Sequence, residues 1–524
     1  MKELIFHRHF LPALEQNASK ICVIDGGYSA TFGQHGERVM RLVSSLGKQL
    51  GVKRSDRFAV MAATSHEYLE LYHTAYLGGG IINPLNLRLA GKELEYIVQD
   101  SGSEIAFVDR HFAGIFHEAM RAAGSACTIR QTVLLGDGDD DLPHDLRYED
   151  LLSAGEVAIP SEPEETDPVV LMYTGGTTGL PKGVLLEQRA EMLNSYHVQM
   201  LLSGFDDEVA LVQTPIFHAA SMLYVVAVPA AGGTLVLVPM FEPVAAMKLI
   251  AQHNVTQTAM VPTMITMMLN HRDFKAENLA SLQTLFYGAS PMPAALLDRL
   301  LGLFPMMDIL QGYGMTESSS VLTVLGAAEH RAGGPRMRSV GKPVPGVRLS
   351  IQDHGGNCLA NGEHGEVCAQ GGNYMREYWN KPEATEEAFK GGWYHTGDAG
   401  YLDDGGYLFL TDRVKDMIIS GAENIYSTEV ENAIADHPSV AQVAVVGIPD
   451  DVWGEAVHAI VVLLDGASAT EEQIIEHARQ SIAGYKVPKS VGFRQDPLPL
   501  SGAMKVLKRE LRAPFWEGKD SGIN

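Results

Sequence analysis

The stretch VVLMYTGGTTGLPKG (residues 169–183) joins an apolar run to a loop that is rich in glycine and threonine. Residues 169–174 predict a buried strand, and the stretch from Thr174 to Gly183 holds four glycines, three threonines and one lysine. Backbone N–H groups in such a turn can form an anion-binding cradle, to which threonine hydroxyls add donors. Ligands of open α/β sheets bind at the carboxyl ends of strands. The stretch therefore predicts an α/β fold with a phosphate site at this strand end.

Helix-like and strand-like segments alternate through the first 110 residues. Residues 37–50 and 66–79 have helical apolar spacing, whereas residues 57–62 and 104–109 are predicted as strands. This alternation indicates layered α/β subdomains with a largely parallel sheet. The chain is too long for one core, and its character changes near Asp412. We therefore predict a large N-terminal domain (residues 1–411) and a small mobile α+β C-terminal domain (residues 412–524).

The charge balance limits the kinds of partner. The net charge is −24, from 40 basic and 64 acidic residues, which argues against nucleic acid as a partner. A polyphosphate ligand would need local positive charge, and residues 479–524 supply nine Lys or Arg against four acids. The four cysteines match no metal or redox spacing, and the N-terminus lacks a signal-peptide core. We therefore expect a cytoplasmic protein.

Two segments raise separate structural questions. Residues 209–241 carry no formal charge, but Pro215 and Pro229 interrupt them, so a buried helix, a turn and a strand are predicted. Peripheral membrane contact stays open for this segment. Residues 137–167 contain twelve acids and one arginine and are predicted to be a surface loop region.

The predicted phosphate loop matches neither of the two best-known phosphate-binding sequence motifs. A Walker A loop needs its lysine directly before a serine or threonine, whereas Lys182 lies between Pro181 and Gly183. A dinucleotide fingerprint is also missing, because no G-x-G-x-x-G follows the strand. A P-loop phosphotransferase and a nicotinamide-dependent enzyme are therefore disfavoured.

YTGGTTGLPKG instead resembles the phosphate-loop signature of the adenylate-forming superfamily. This superfamily contains acyl-CoA synthetases, luciferases and peptide-synthetase adenylation domains. The loop departs from the usual pattern at Gly175, where the family mostly has serine or threonine. The resemblance implies that the β- and γ-phosphates of ATP are held by the residues of this loop: Thr174, Gly175, Gly176, Thr177, Thr178, Gly179 and Lys182.

Further motifs of the same family follow in the expected order. QGYGMTE (residues 311–317) implies Tyr313 against adenine, Thr316 near the α-phosphate, and Glu317 together with Thr174 on Mg²⁺. Carboxylate and hydroxyl oxygens suit that ion. YGASP (residues 287–291) is similar to the segment that lines the adenine pocket. The remaining nucleotide-binding residues implied by these two motifs are Gly288, Ala289, Ser290, Gln311, Gly312, Gly314 and Met315.

The C-terminal half carries the motifs for ribose and for domain movement. YHTGD (residues 394–398) resembles the motif whose aspartate, here Asp398, binds the ribose hydroxyls. In DRVKD, the resemblance implies Arg413 on the ribose and Lys415 at an interdomain hinge.

Three more motifs concern the acid, the catalytic lysine and the thiol. PIFHAASM resembles the family segment beside the carboxylate pocket, which implies that position for His218. LPLSGAMKVLKREL resembles the closing segment of the family and aligns Lys505 with the catalytic lysine, although Met504 replaces the usual glycine. MIISGAENIY resembles the loop that receives the pantetheine arm of CoA. The residues implied there are Gly421, Ala422 and Glu423.

The resemblance implies an AMP-forming acid–thiol ligase, most like a bacterial fatty-acid–CoA ligase. Its substrates would be ATP, a carboxylic acid and CoA, with Mg²⁺ as cofactor. Residues 222–228, Gly288 and residues 312–315 are apolar or glycine, which favours a hydrophobic acid, and we expect a medium- or long-chain fatty acid. An aromatic or cyclic acid, and the loading of a separate carrier protein, remain as alternatives. A nucleotide-binding protein without turnover is less favoured, because Lys505, Glu317 and Asp398 are all present. The sequence leaves the oligomeric state open, and a homodimer is one of the alternatives.

Overall fold

The computed structural model describes residues 3–89, 91–136, 142–174, 180–201, 208–290, 292–413, 417–420, 423–450, 453–500 and 506–517. The helices are α1 (His7–Gln16), α2 (Phe32–Lys48), α3 (His66–Tyr76), α4 (Gly91–Asp100), α5 (Ala113–Ala123), α6 (Tyr148–Ser153), α7 (Gln188–Leu201), α8 (Met222–Val225), α9 (Ala227–Ala230), α10 (Pro243–His253), α11 (Pro262–Leu269), α12 (Ala294–Leu303), α13 (Ala327–Ala332), α14 (Pro382–Ala388), α15 (Ser427–Ala435), α16 (Glu471–Arg479) and α17 (Lys508–Trp516).

The strands belong to four sheets. They are β1 (Ile21–Asp25), β2 (Tyr28–Thr31), β3 (Arg57–Met61), β4 (Ile81–Pro84), β5 (Ser103–Asp109), β6 (Gln131–Leu135), β7 (Leu146–Arg147), β8 (Pro168–Thr174), β9 (Lys182–Glu187), β10 (Val209–Val212), β11 (Thr234–Leu237), β12 (Gln257–Met260), β13 (Thr284–Gly288), β14 (Asp308–Tyr313), β15 (Thr323–Leu325), β16 (Lys342–Pro343), β17 (Arg348–Gln352), β18 (Gly365–Gln370), β19 (Glu377–Tyr378), β20 (Tyr394–Leu402), β21 (Leu408–Arg413), β22 (Ile418–Ser420), β23 (Glu423–Ile425), β24 (Val440–Asp450), β25 (Gly454–Leu463) and β26 (Ser490–Arg494).

Two large sheets form the framework of the N-terminal region. One has the strand order β16-β15-β14-β13-β12-β10-β11-β1-β2, and the other has the order β19-β9-β8-β4-β3-β5-β6-β7. Their central strands run parallel, whereas β9 and β15 pair antiparallel with β8 and β14. The predicted α/β architecture with a largely parallel sheet is therefore confirmed.

Two smaller sheets follow. The order β17-β18-β20-β21 makes an antiparallel sheet, and the order β23-β22-β25-β24, with β26 paired to β25, makes the C-terminal one. Helix α17 is tied to α15 because Lys508 Nζ donates to Ser427 Oγ at 2.6 Å and lies 2.7 Å from Glu431 Oε1. Strand β21 runs to Arg413 and β22 begins at Ile418, so the boundary at residues 411 and 412 stays a prediction.

The elements predicted from apolar spacing are present. Helix α2 begins with a capping box, in which Thr31 accepts from the Gln34 N–H while the Gln34 side chain accepts from the Thr31 N–H. In the segment 209–241, the predicted strand is present as β11, the predicted helix is divided into α8 and α9, and β10 was not predicted; residues 222–228 are buried. Among the described residues, every helix is too short or too polar to span a bilayer.

Part of the acidic region 137–167 differs from the predicted surface loop, and residues 137–141 of it lie outside the described residues. Residues 146–153 form β7 and α6, and Tyr148 is buried with its hydroxyl donating to Glu70 at 2.6 Å. Arg38 binds both Glu70 and Glu149, at 2.6 Å in each case. Charge counting missed this helix because the acids surround a short apolar set that packs on α2.

Candidate active site

Three sheets bring their predicted motif residues to one region. Strands β13 and β14 are parallel neighbours, and their carboxyl ends carry the YGASP and QGYGMTE segments. The turn Thr316–Ser318 follows β14 and contacts β9, which begins at Lys182. The tie between β14 and the third sheet is a hydrogen bond from Tyr313 to Asp398 on β20. Tertiary structure therefore joins motifs that lie far apart in the chain.

Glu317 and Lys182 both contact Tyr378. The Tyr378 hydroxyl donates to Glu317 Oε1 at 2.8 Å, and Lys182 Nζ lies 4.7 Å from the centre of the Tyr378 ring. Strand β19 holds Tyr378 there by pairing with β9, and the Trp379 N–H donates to the Gly183 carbonyl. Burial and the Glu317 carboxylate raise the pKa of Tyr378 far above its ordinary value, so the hydroxyl remains a donor. Tyr378 was not predicted from the sequence, because no local motif marks it.

The YHTGD turn is braced from several sides. The Tyr313 hydroxyl donates to Asp398 Oδ2 at 2.6 Å, and burial together with Asp398 raises the pKa of Tyr313 well above its usual range. The Asp398 N–H donates to Thr396 Oγ1 at 3.1 Å, and the Gly397 N–H donates to Glu366 Oε1 at 3.1 Å. Gly397 has a φ of +70°, a conformation that suits glycine. This network fixes the main chain that presents the Asp398 carboxylate.

Close packing explains two predicted glycines of the adenine segment. A Cβ on Gly288 would lie 2.4 Å from the carbonyl oxygen of Gly312, its partner on β14. A Cβ on Gly312 would lie 2.4 Å from the ring of Phe286. Ala289 follows with a φ of +66° and is exposed, as expected for a turn at a strand end. These glycines keep the crevice open at the ends of β13 and β14.

Gln311 is directed into the protein rather than towards the crevice. Its Oε1 accepts from the Tyr287 hydroxyl at 3.1 Å, and that hydroxyl also lies 3.0 Å from His330 Nε2. Gln311 and His330 are both buried. The side chain of Gln311 therefore supports the strand end, and any nucleotide contact there would come from its neighbours.

His218 lies between β10 and α8. Its imidazole ring centre is 4.6 Å from the ring centre of Phe217, and the main-chain N–H of His218 donates to the Pro215 carbonyl. The ring is partly exposed, whereas Phe217 and Ala219 on either side of it are buried. Its Nε2 is buried beside these apolar groups, and a place in the wall of the acid pocket stays a prediction for His218.

Several predicted residues fall outside the described ranges. They are Gly175, Gly176, Thr177, Thr178, Gly179, Lys415, Gly421, Ala422 and Lys505. Thr174, the last residue of β8, pairs with Lys182 at the start of β9. Arg413 pairs with Asp398 in the ladder between β20 and β21, and Glu423 begins β23 opposite Ser420. The structure describes Arg413 and Glu423 by their backbone positions.

A buried carboxylate lies behind the Glu317 turn. Glu191 on α7 is fully buried and accepts from the Tyr76 hydroxyl at 2.9 Å. Burial raises the pKa of Glu191 to about 7. No sequence signal marks this group, since Glu191 occupies an ordinary polar position in a helical pattern.

Magnesium fits the donors that this site offers. Glu317 supplies a carboxylate and Thr174 a hydroxyl, and hard cations such as Mg²⁺ prefer oxygen ligands. Mg²⁺ commonly keeps several waters and binds through one or two protein groups and substrate phosphates. A site with one carboxylate and one hydroxyl is sufficient for an ion that arrives with ATP.

Comparisons with known proteins find relatives along almost the whole chain. The family model of AMP-binding enzymes matches residues 10–379, and that of the AMP-binding enzyme C-terminal domain matches residues 429–505. A feruloyl-CoA synthase from an Amycolatopsis species is 37% identical over 94% of this chain and 95% of its own length. The long-chain-fatty-acid–CoA ligase FadD13 of Mycobacterium tuberculosis (strain ATCC 25618 / H37Rv) is 34% identical, over 89% of each chain. The crystal structure of ATP-bound MatB from Rhodopseudomonas palustris superimposes with a TM-score of 0.88 at 27% identity, covering 99% of each chain.

Proposed function

This chain belongs to the AMP-binding enzyme family, within the adenylate-forming superfamily, and is an AMP-forming acyl- or aryl-CoA ligase; we propose that its acid is hydrophobic, a medium- or long-chain fatty acid. The reaction has two half-reactions. ATP and the acid give acyl-AMP and pyrophosphate, and the CoA thiol then displaces AMP. Activation is needed because a carboxylate would otherwise have to expel oxide.

One observation supports the proposed ATP site of the first half-reaction: Lys182 and Glu317 both contact Tyr378. An ammonium and a carboxylate that both contact one tyrosine suit a polyphosphate and its metal ion. Mg²⁺, when bound at Glu317 and Thr174, would offset phosphate charge. We assign Lys182 and the loop 174–179 to the β- and γ-phosphates, and Asp398 to the ribose hydroxyls. Catalysis then rests on positioning and electrostatics.

Bond changes in the first step are simple. A carboxylate oxygen of the acid attacks the α-phosphorus, and the bond to the bridging oxygen of pyrophosphate breaks. Lys505, which lies outside the described residues, is assigned to the negative charge that develops between carboxylate and α-phosphate. Thr316 is assigned to the α-phosphate and His218 to the wall of the acid pocket.

In the second step, the CoA thiol must occupy the place that is assigned to Lys505 in the first step. The CoA sulfur attacks the acyl carbonyl, AMP leaves with the bonding electrons, and the thiol proton is lost to solvent. We propose that the C-terminal region turns about Lys415 and presents Gly421, Ala422 and Glu423 to the pantetheine arm. Hinge motion about a few residues is a common way to exchange two active arrangements.

The character of the acid pocket supports a hydrophobic substrate. Residues 217–228, 288–290 and 311–315 contain no Asp, Glu, Lys or Arg, and residues 222–228 are buried apolar side chains. A second carboxylate or an amino group on the substrate would be buried there without a partner, which is costly. An aromatic acid is the second candidate, because the feruloyl-CoA synthase named above is one of the relatives.

The test separates the half-reactions and then the acids. Lys505→Ala should abolish acid-dependent pyrophosphate release, while thioester formation from supplied acyl-AMP largely survives; equal loss of both would contradict the assignment. A panel of acids of graded chain length, with cinnamic-type acids beside them, is then assayed for AMP formation with CoA. Highest kcat/KM for C8 to C18 acids supports the fatty-acid proposal. A preference for aromatic acids selects the second candidate, and activity confined to amino or hydroxy acids rejects both.

A further inference from the structure

A group of three metal-ligand side chains lies on the antiparallel sheet that carries Asp398. Cys368 on β18 is the cross-strand partner of His395 on β20, and Glu366 precedes Cys368 by two residues. Side chains two residues apart on a strand share a face, and paired residues on adjacent strands face the same way. The register of β18 and β20 therefore gathers a thiol, an imidazole and a carboxylate.

Their separations are close to those of a tetrahedral zinc site. One donor atom from each residue lies within 4.8 Å of the other two. Cys368 Sγ is 3.5 Å from His395 Nδ1, and that nitrogen is 2.9 Å from Glu366 Oε2. Zn–S bonds of ~2.3 Å and Zn–N or Zn–O bonds of ~2.1 Å at tetrahedral angles require about 3.6 Å and about 3.4 Å. The Sγ–Nδ1 distance of 3.5 Å already fits. A small rotation of the Glu366 side chain would lengthen the Nδ1–Oε2 distance from 2.9 Å to the required value.

The histidine is oriented as a metal ligand would be. His395 Nε2 lies 3.2 Å from the Lys390 carbonyl oxygen, an acceptor to which it can only donate. Metal-bound histidines regularly donate their other ring N–H to a backbone carbonyl. In the 2.9 Å contact with Glu366 Oε2, Nδ1 is the donor; a metal ion would take the place of that proton, and the Nδ1 lone pair would then face the space between Glu366 Oε2 and Cys368 Sγ.

We propose that Glu366, Cys368 and His395 form a binding site for Zn²⁺ or a similar transition-metal ion, with water in the fourth position. Binding replaces the thiol proton of Cys368, which is released to solvent, and no redox change occurs. The Cys368 side chain is buried, whereas those of His395 and Glu366 are 21% and 29% exposed, so the ion enters from their side. This site is separate from the Mg²⁺ site, which offers only oxygen donors.

The position of this site links it to the ribose turn. Glu366 uses its other oxygen, Oε1, to accept from the Gly397 N–H at 3.1 Å, next to Asp398. A metal on Oε2 would hold that carboxylate in place from its far side. The proposal does not depend on which acid the enzyme activates.

Cobalt titration of the full-length, chelator-treated protein tests the proposal. Co²⁺ bound through a thiolate gives a sulfur-to-metal charge-transfer band in the near ultraviolet. We expect a band that saturates at one equivalent per chain, is displaced by Zn²⁺ and persists in excess Mg²⁺, which prefers oxygen ligands. Cys368→Ser should lose the band. Cys358→Ser is the matched control, because Cys358 is an exposed free thiol on the same sheet and should keep the band.

Glu366→Gln provides a second variant that retains the size of the side chain. It should weaken Co²⁺ and Zn²⁺ binding at least tenfold by calorimetry, because a neutral amide is a poor ligand. Circular dichroism of both variants verifies the fold. The absence of a saturable band in the wild-type protein, or a band that survives Cys368→Ser but is lost with Cys358→Ser, would overturn the proposal.

Discussion

Tyr378→Phe isolates one hydroxyl at the centre of the proposed ATP site. The substitution removes the donor to Glu317 Oε1, which lies 2.8 Å away. The ring remains beneath Lys182 Nζ at 4.7 Å, so the cation–π contact is retained. The Tyr378 hydroxyl also has a hydrogen bond with Tyr394, so the substitution removes that bond together with the hold on the Glu317 carboxylate.

The magnitude follows from the charge on the acceptor. Hydrogen bonds to charged groups contribute about 1.5–3 kcal/mol. Since about 1.4 kcal/mol corresponds to a factor of ten in rate, kcat/KM for MgATP in the adenylation step should fall about ten- to hundredfold. Acid-dependent ATP–pyrophosphate exchange measures this step, and thioester formation from supplied acyl-AMP measures the other, which should change little.

Tyr374→Phe is the matched control for this measurement. Its hydroxyl is buried and lacks a hydrogen-bond partner among the described residues, and its ring packs 5.0 Å from that of Tyr394. Removing that hydroxyl should leave the exchange rate within about twofold, because no interaction with a charged group is lost. An unchanged exchange rate in Tyr378→Phe, or an equal fall in both half-reactions, would refute the reasoning about Glu317.

Three further expectations concern neighbouring groups. Tyr313→Phe removes the 2.6 Å hydrogen bond to Asp398 and should raise KM for ATP up to about tenfold while KM for the acid stays constant, as steady-state kinetics can verify. Gly288→Ala should lower the free energy of unfolding by about 1–3 kcal/mol, because its Cβ meets a carbonyl oxygen at 2.4 Å. Gly302→Ala, on helix α12 with open space around its Cβ, should instead be neutral or stabilising in the same denaturation experiment. Burial raises the pKa of Glu191 from 4.5 to about 7, so between these values the unfolded chain loses a proton that the folded chain keeps, and stability falls as pH rises. Glu191→Gln lacks that slope, and its stability relative to wild type should increase by roughly 2–3 kcal/mol from pH 5 to pH 8 in urea unfolding; parallel pH profiles would contradict the raised pKa.

Much of the fold could be predicted from short segments. Strands β8, β11 and β13 follow from apolar runs that end in glycine or polar turns, and α2 follows from helical spacing and a capping box. The ordered family motifs predicted the superfamily. The acidic region around α6 was predicted wrongly, because its buried Tyr148 depends on Arg38 and Glu70 in distant helices.

The sequence by itself determined the class of chemistry, because the loop 174–183 and its companion motifs are local patterns that can be read without a fold. The tertiary structure decided which groups act together. Tyr378 reaches Glu317 across 61 positions only because β19 pairs with β9. Likewise, Cys368 meets His395 only through the register of β18 and β20. Periodicity and turn chemistry act over a few residues, whereas strand order and register bring together groups that are far apart in the chain, and no single segment encodes them.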